Sequence, residues 1–349
     1  MTDLTPTRLR TLLAAFPPLR IGVVGDFFLD AYYDCDPALD EKSLETGRTC
    51  YQVVGHRRQA GAAGTVAANL RALGVGKVAA VGYCGDDGEG YELRRAMRGL
   101  GLDLADFVTA PNRLTPTYGK PCYIDSTRRG RPVVEELERL DSKNRHPTPA
   151  SLQDELIDRI RAGLDRWDAV VLLDQVAEAN CGVLTTRVRS AVAAALAERE
   201  RPCALADSRQ RIGQFRNAML KPNQREAFAA CRGKGRLSLA AAQNNAMALH
   251  RRARRPVFLT LGARGMLVAD AGTTVRVPGI RVAGPLDIVG AGDACSAAIS
   301  AALAAGAQPV EAATIATLAA SITVQQLGTT GTATPAQLRR RLQEVRRGL

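Results

Sequence analysis

Short hydrophobic runs alternate along the chain with longer segments in which apolar residues recur at helical spacing. The runs are rich in Val, Ile and Leu, and four of them read IGVVGD (21–26), KVAAVGYCG (77–85), WDAVVLLD (167–174) and PVFLTLG (256–262). Ala-, Leu- and Arg-rich segments such as AGTVAANLRALG (63–74) lie between them, and a glycine ends that one. This alternation predicts an α/β fold with a mostly parallel central sheet and helices on both faces.

Two segments, at about 31–60 and 115–138, break the alternation. Both contain strand-like pieces without a helix, including AYYDC and RTCYQVV in the first and TPTYGKPCYID in the second. The chain has no internal repeat and no low-complexity linker. We therefore predict one domain over 1–349, with the two segments forming a small β-rich lid inserted in it.

Composition narrows the class of protein. Hydrophobic residues make up 46% and charged residues 23% of the 349 residues, as in soluble globular proteins. The longest apolar run, 294–307, is too short and too rich in serine to span a bilayer, and the N-terminus lacks the uncharged core of a signal peptide. We expect a cytoplasmic protein that makes no membrane contact. Eight scattered cysteines without a C-x-x-C pair argue against a structural zinc site and against a disulfide framework.

The net charge of +12 raises the question of a nucleic-acid partner. Basic residues are spread along the chain, as in RRARR (251–255) and RRRLQEVRR (339–347), and no basic run is interleaved with aromatic residues. We therefore expect solvated basic faces that help to attract phosphates, and no nucleic-acid partner.

Polar residues with catalytic potential follow the predicted strands. Ligands of open parallel sheets bind at the carboxyl ends of the strands. The candidates at these ends are Asp26, Asp30, Asp174, Asp207, Asn223, Glu226, Thr260, Gly262, Asp287 and Asp293.

The stretch DIVGAGDAC (287–295) carries the clearest chemistry. Gly290, Ala291 and Gly292 leave backbone N–H groups unobstructed at the start of a small-residue helix, which suits an anion. Asp293 is either the N-cap of that helix or a general base, and spacing alone leaves both open. A Walker A loop is absent, and so is a G-x-G-x-x-G after the first strand, so a nucleotide must be held in another way.

Six motifs in order resemble those of the ribokinase-like (PfkB) carbohydrate kinases, and the resemblance covers nearly the whole chain. They are VVGDFFLD, AGAAGTVAANLRALG, VGYCGDDGEG, KPNQREA, TLGARGM and DIVGAGDAC. Within that family the likeness is greatest to heptose-7-phosphate kinase domains, through GDFFLDAYY, SLE (43–45), ERLD (138–141) and QLGTTGTATP. The nucleotidyltransferase domain that often follows such a kinase domain is not expected, because the sequence ends at Leu349.

The resemblance implies an ATP-dependent kinase that uses Mg²⁺, and it implies a role for each matching position. Asp293 would be the base, with Gly290, Ala291 and Gly292 as the anion hole. The remaining assignments are Asp26, Asp30, Gly61 and Thr65 at the sugar; Asn223 and Glu226 near the triphosphate and its hydrated Mg²⁺; Thr260, Gly262, Gly265 and Thr317 at the nucleotide; and Asp287 beside a monovalent cation such as K⁺. Ordinary turn, cap and surface roles remain the alternatives for these positions.

The lid adds two further expectations. In relatives such lids often pair between subunits, so we predict a homodimer through residues 31–60 and 115–125. If the lid closes over the substrate, Lys120 and Arg139 are candidates to meet an anionic group, with plain surface charge as the alternative for each.

Departures from the family pattern lie mainly on the sugar side. Ala60 replaces a glycine and Thr65 replaces an asparagine, and a methyl group at position 60 is expected to narrow the space for the sugar. Three functions remain open. They are a sugar or sugar-phosphate kinase with a heptose-7-phosphate-like substrate favoured, a nucleoside kinase of the same fold, and a non-catalytic sugar- or nucleotide-binding protein.

Overall fold

The computed structural model describes residues 4–128, 130, 132–233, 235–328 and 330–348. Its helices are α1 Pro6–Ala14, α2 Ala63–Ala72, α3 Gly88–Gly99, α4 Ala150–Leu164, α5 Thr186–Ala197, α6 Gln224–Ala230, α7 Leu239–Ala253, α8 Ala291–Ala304, α9 Pro309–Thr323 and α10 Pro335–Arg346. Its strands are β1 Arg20–Gly25, β2 Phe27–Cys35, β3 Glu41–Lys42, β4 Thr49–Cys50, β5 Val53–Ala62, β6 Lys77–Gly85, β7 Phe107–Ala110, β8 Thr117–Ile124, β9 Val133–Glu136, β10 Leu140–Ser142, β11 Ala169–Asp174, β12 Cys203–Ser208, β13 Met219–Leu220, β14 Val257–Thr260, β15 Gly265–Asp270 and β16 Thr273–Pro278.

The central sheet has the strand order β16-β15-β14-β13-β12-β11-β1-β6-β7 in the described residues. Neighbours from β14 to β7 run parallel, whereas β15 and β16 are antiparallel additions at one edge. This arrangement confirms the predicted mostly parallel α/β fold. The carboxyl ends of β1, β11 and β12 meet at one edge, where ligands bind in such sheets.

Helices cover both faces of this sheet because strand residues alternate between two apolar cores. Ile21 and Val23 of β1 join the core under α2, α8 and α9, whereas Val24 joins the core under α4, α5 and α7. Small residues let α8 and α9 pack closely, since both helices are mostly alanine, serine and isoleucine. The start of α8 is thereby held against the sheet.

A second sheet stands beside the first with the order β10-β8-β2-β5, and β9 pairs with β8. It contains most of the two strand-rich segments predicted at 31–60 and 115–138, of which residues 129 and 131 lie outside the described residues. It begins at Phe27, only two residues after β1 ends, so the central sheet fixes its position directly. That it moves as a lid stays a prediction.

No helix in the described part of the chain is long and apolar enough to cross a membrane. The eight cysteines are all unpaired thiols, and most are buried.

Candidate active site

The start of α8 presents free backbone amides. Gly290 is the N-cap and has a φ of 79°, a left-handed conformation that favours glycine. No side chain caps the helix, and the amides of Gly292 and Asp293 find no hydrogen-bond acceptor among the described residues. Asp293 is the third residue of the helix, so it is not the N-cap. The turn thus leaves donors and a positive helix end directed at an anion.

Asp293 lies half-buried beside these amides. Burial raises the pKa of its carboxyl group to about 7, and the negative charges of Asp207 and Asp30 act in the same direction. The positive charges of Lys221 and Arg209 oppose the rise. A carboxylate with a pKa near the working pH is suited to accept and release a proton.

A buried ion pair lies under the same turn. Asp207, at the end of β12, pairs with the Lys221 ammonium at 2.9 Å and accepts a 2.8 Å hydrogen bond from the Ser296 hydroxyl. Burial alone would lower the pKa of Lys221, but the charge of Asp207 raises it above its ordinary value, so the ammonium stays charged. Sequence patterns missed Lys221, because a lysine after a short strand is usually solvated.

The Asn-x-x-Glu motif forms a capping box at the start of α6. The Asn223 side chain accepts from the Glu226 amide at 2.9 Å, and the Glu226 carboxylate accepts from the Asn223 amide at 2.7 Å. Burial raises the pKa of Glu226, with a further contribution from Asp207. Oε2 of Glu226 is engaged in the cap, whereas Oε1 has no hydrogen-bond partner in the described residues.

This donor set fits a hydrated Mg²⁺. The described residues contain no group of three or more acidic, His or Cys side chains that could hold a metal. Mg²⁺ commonly keeps several waters and takes only one or two carboxylates plus substrate phosphates, so one free carboxylate oxygen on Glu226 suffices.

The Thr-x-Gly-x-x-Gly turn lies beside the Asn-x-x-Glu motif. The Thr260 amide donates to the Pro222 carbonyl at 2.9 Å, and Thr260 forms a bridge with Asn223. Gly262 and Gly265 bound the tight turn that follows β14. Thr317 is buried within α9, and its hydroxyl donates to the Ala313 carbonyl of the same helix. The structure therefore groups Thr260, Gly262 and Gly265 with the motif, and the assignment of Thr317 to the nucleotide stays a prediction.

Asp287 fastens the loop before α8. One carboxylate oxygen accepts from the Val289 amide at 2.9 Å and the other from the Gly328 amide at 3.1 Å. These contacts hold the loop to the segment after α9. Its assignment to a monovalent cation stays a prediction.

Asp30 of β2 faces the site from the second sheet. It pairs with Lys120 of β8 at 3.0 Å, and its charge reaches Asp293. Gly61 permits this position, because a Cβ atom there would lie 2.4 Å from Oδ2 of Asp30. Lys120 is therefore a half-buried partner of Asp30 and not a free surface charge.

Backbone amides donate hydrogen bonds to both carboxylate oxygens of Asp26. It accepts from the amides of Gln175, Val176 and Val183 at 2.9, 3.1 and 2.7 Å, and so holds the loop after β11. Burial raises its pKa to about 6, and the charge of Asp174 adds to the rise. Its assignment to the sugar stays a prediction, and its geometry here is that of a loop anchor.

Ala60 and Thr65, the two departures from the family pattern on the sugar side, lie in different surroundings. The methyl group of Ala60 points at α2, where a Cβ atom on Gly64 would lie 2.5 Å from it. This methyl group is part of the core, and its effect on the space for a sugar stays a prediction. Thr65 is buried in the first turn of α2.

A cleft of about 150 Å³ lies between the second sheet and the loops after β11 and β12. Lys143 and Arg209 line it, and neither has an ion-pair partner in the described residues. The charge of Arg209 also lowers the pKa of Asp293. Arg139 lies over the Tyr118 ring at the cleft wall, and Asp141 neutralises it at 2.5 Å. Sequence patterns missed Lys143 and Arg209, because only the fold brings them together.

Comparisons with known proteins show similar sequences and similar folds. Residues 171–337 match the family described as pfkB family carbohydrate kinase. The "Bifunctional protein HldE" of Caulobacter sp. (strain K31) is 32% identical over 92% of this chain and 62% of its own length, and that of Geotalea uraniireducens (strain Rf4) is 30% identical over the same shares. The chain thus spans about three fifths of the length of these relatives.

Solved structures share the fold. Phosphofructokinase-2 from Escherichia coli in complex with potassium superposes with a TM-score of 0.70 at 14% identity, covering 94% of this chain and 99% of that one. Arabidopsis thaliana ribokinase with ribose and ATP gives a TM-score of 0.66 at 17% identity, covering 93% and 99%. At these identities the likeness concerns the architecture alone.

Proposed function

Because this chain carries a domain of the PfkB carbohydrate kinase family, we propose that it transfers the γ-phosphoryl group of ATP to a hydroxyl of a sugar or sugar phosphate. The observation that carries the proposal is Asp293, a carboxylate of pKa about 7 beside unpaired amides at the start of α8. Phosphoryl transfer needs mainly positioning and charge stabilisation, and this turn supplies both.

The reaction follows from that geometry. The substrate hydroxyl gives its proton to Asp293 as its oxygen forms a bond to the γ-phosphorus. The bond from that phosphorus to the bridging oxygen breaks, ADP leaves with the electron pair, and Asp293 returns the proton to solvent. Of the turn predicted as the anion hole, the amides of Gly290 and Gly292 stabilise the charge on the moving group, and the Ala291 amide donates to the Ile288 carbonyl at 3.3 Å.

Mg²⁺, when bound, would neutralise charge on the phosphates. The free oxygen of Glu226 would hold its water shell, and the Asn223 cap keeps that carboxylate in place. Thr260, Gly262 and Gly265 border the nucleotide in this proposal, and Asp287 braces the loop that leads into α8.

The cleft favours an anionic acceptor. Lys143 and Arg209 are two cations without acidic partners in the described residues, and they line the cleft between the second sheet and the loops after β11 and β12. Glu178, the acid in the cleft wall, already faces Arg145 at 3.7 Å. A sugar phosphate therefore fits better than a neutral nucleoside, in agreement with the heptose-7-phosphate kinase resemblance.

A panel of acceptors tests the function. ADP release is measured with heptose and hexose phosphates, neutral sugars, adenosine and cytidine, for the wild type and for Asp293→Asn. We expect turnover with a sugar phosphate and a loss of about 10²- to 10⁴-fold in the variant. The control is Asp165→Asn, an exposed carboxylate that pairs with Arg199. Turnover with nucleosides alone, or full activity of Asp293→Asn, would contradict the proposal.

We also propose a homodimer through the second sheet. Large hydrophobic side chains are exposed on the first lid segment, and they are Leu39, Leu44, Tyr51, Val53 and Val54. Contiguous exposed apolar residues mark interaction surfaces in soluble proteins. Light scattering at micromolar concentration should give twice the mass of one chain, and Val53→Lys should weaken the dimer. A strictly monomeric wild type would refute this assembly.

A further inference from the structure

Arg113 is a buried arginine in the turn after β7. Only 7% of the residue is exposed, and its hydrogen bonds in the described residues all go to carbonyl and hydroxyl oxygens, with no acidic side chain among them. One donor, Nε, is buried without a partner in the same part of the chain. Removing a guanidinium group from water is costly, so a residue kept in this position points to a role for its contacts.

The guanidinium group joins two separate segments of the chain. Nη1 donates to the His146 carbonyl at 2.9 Å, in the segment before α4, and Nη2 donates to the Cys181 carbonyl at 2.7 Å, in the loop after β11. The Tyr83 hydroxyl accepts from Nη2 at 3.1 Å and donates to the same Cys181 carbonyl at 3.0 Å. Because the donors of a guanidinium group lie in one plane at fixed angles, these bonds set the distance between the two segments.

The residue after Arg113 fixes the first of these segments a second time. The Leu114 amide donates to Oδ1 of Asn144 at 3.0 Å, and Nδ2 of Asn144 donates to the Leu114 carbonyl at 2.7 Å. Asn144 lines the cleft between the second sheet and the loops, and so does its neighbour Lys143. The backbone that carries Lys143 is thus held by the turn after β7, although neither Arg113 nor Leu114 lines the cleft.

The second segment, the loop after β11, belongs to the same cleft. Cys181 of this loop is one of the lining residues. The Thr148 amide donates to the Asn180 carbonyl at 2.8 Å, and the Thr148 hydroxyl donates to the Gly182 carbonyl at 2.8 Å. Two segments that line the cleft are therefore tied to each other, and Arg113 is a side chain that bonds to both.

We propose that Arg113 is a positioning residue for the acceptor, because it fixes Lys143 relative to the loop after β11 and so lets the cleft hold an anionic acceptor in one place. The inference rests on the proposed kinase function and adds a determinant of its acceptor. Arg113 acts through Lys143 and does not touch the acceptor. Its loss therefore weakens binding of the anionic group and leaves the start of α8 unchanged, whereas a purely structural arginine would change stability alone.

Steady-state kinetics with a sugar phosphate and ATP tests this. Arg113→Lys retains the positive charge, but an ammonium group on a flexible stem does not fix the distance between two carbonyls. We expect it to raise KM for the sugar phosphate by roughly tenfold, about the contribution of one hydrogen bond to a charged group, and to leave kcat and KM for ATP within about threefold.

A double-mutant cycle with Lys143→Gln shows whether the effect passes through Lys143. In the Lys143→Gln background, Arg113→Lys should change KM for the sugar phosphate by less than about twofold, because residues that act together are not additive. Tyr83→Phe is a milder second variant that keeps the buried ring and removes only the hydroxyl that shares the Cys181 carbonyl. It should raise KM in the same direction, and it decides the question if Arg113→Lys fails to fold.

Arg71→Lys is the matched control. Arg71 also has a buried Nε without a partner in the described residues, and its Nη1 donates to the carbonyls of Val75 and Gly76 at 2.7 Å each. These carbonyls precede β6, at the amino ends of the strands and away from the cleft. Arg71→Lys should therefore lower the melting temperature and leave KM for the sugar phosphate unchanged.

The outcomes separate this inference from the proposed function. Three results would overturn the inference while turnover by the wild type still supports a kinase: an unchanged KM in folded Arg113→Lys or, where that variant does not fold, in Tyr83→Phe; a rise in KM that adds fully to that of Lys143→Gln; or an equal rise in Arg71→Lys. If the wild type turns over no sugar phosphate, the proposed anionic acceptor is itself refuted and the inference falls with it.

Discussion

The pH dependence of catalysis follows directly from the surroundings of Asp293. Only the carboxylate form can accept the hydroxyl proton, and its pKa is raised to about 7 by burial and then by the charge of Asp207. About one tenth of the molecules carry the active form at pH 6, and about nine tenths at pH 8. We therefore expect kcat/KM to rise about tenfold per pH unit below pH 7 and to level off above it.

Substitutions of the charged neighbours of Asp293 should shift the midpoint of this pH profile, the pH at which kcat/KM reaches half of its plateau. Asp207→Asn removes a negative charge near Asp293 and leaves the positive charge of Lys221 in place. It should therefore lower the pKa of Asp293 and shift the midpoint of the pH profile to lower pH. Asp103→Asn, at a partly exposed site where the carboxylate pairs with Lys77, should leave the midpoint in place. The measurement is ADP formation by chromatography from pH 5.5 to 9, because coupling enzymes have pH limits of their own.

The raised pKa of Asp293 should also make the stability of the folded chain depend on pH. The pKa of Asp293 is higher in the folded chain than in the unfolded chain, where it is near 3.9. Between about pH 4 and pH 7 the unfolded state therefore loses this proton first, and the contribution to stability falls as pH rises. Asp293→Asn should raise the melting temperature at pH 8 and not at pH 4. A midpoint below pH 5, or a variant that loses stability at pH 8, would refute the assignment of Asp293.

Three further predictions concern the surroundings of the site. Arg211→Met leaves Asp174 as a buried charge after loss of its contacts at 2.6 and 3.0 Å, and should cost about 3–5 kcal/mol in urea unfolding. Gly61→Ala places a Cβ 2.4 Å from Asp30, and should lower kcat/KM for the acceptor by roughly 10- to 100-fold while calorimetry shows unchanged ADP binding. Glu226→Gln keeps an acceptor for the cap but loses the charge, so the Mg²⁺ concentration for half-maximal rate should rise with no change in melting temperature.

Much of the architecture could be predicted from the sequence, because only a few arrangements of strands and helices bury a repeated hydrophobic pattern of this kind. Six motifs in order predicted the family and the fold; the family model matches residues 171–337, and the fold is confirmed. The placement of DIVGAGDAC at the start of a helix is also confirmed, because Gly290 is the N-cap and Ala291 the first residue of α8. These features depend on local chemistry or on the sum of many positions.

Individual side-chain partners could not be predicted, because they depend on contacts distant in the chain. Asp26 and Asp30 are four residues apart in one motif, yet three backbone amides engage the first, and Lys120 pairs with the second. Lys221 meets Asp207 only through the pairing of β12 with β13. The Ala60 methyl group packs against Gly64 of α2, a contact that the sequence alone does not reveal.

The two halves of the site are built differently, and this decides how substitutions act. In the proposed function, the phosphoryl side consists of backbone amides of α8 and a buried ion pair anchored on the central sheet. The proposed acceptor side consists of side chains of the second sheet, such as Asp30 and Lys120, and of the loops beside the cleft. A change on the second sheet can therefore alter which acceptor binds without moving the start of α8. Arg209→Gln is the exception, because Arg209 lines the cleft and also lowers the pKa of Asp293. It should raise KM for an anionic acceptor and also move the pH midpoint upward, whereas Lys143→Gln should raise KM alone.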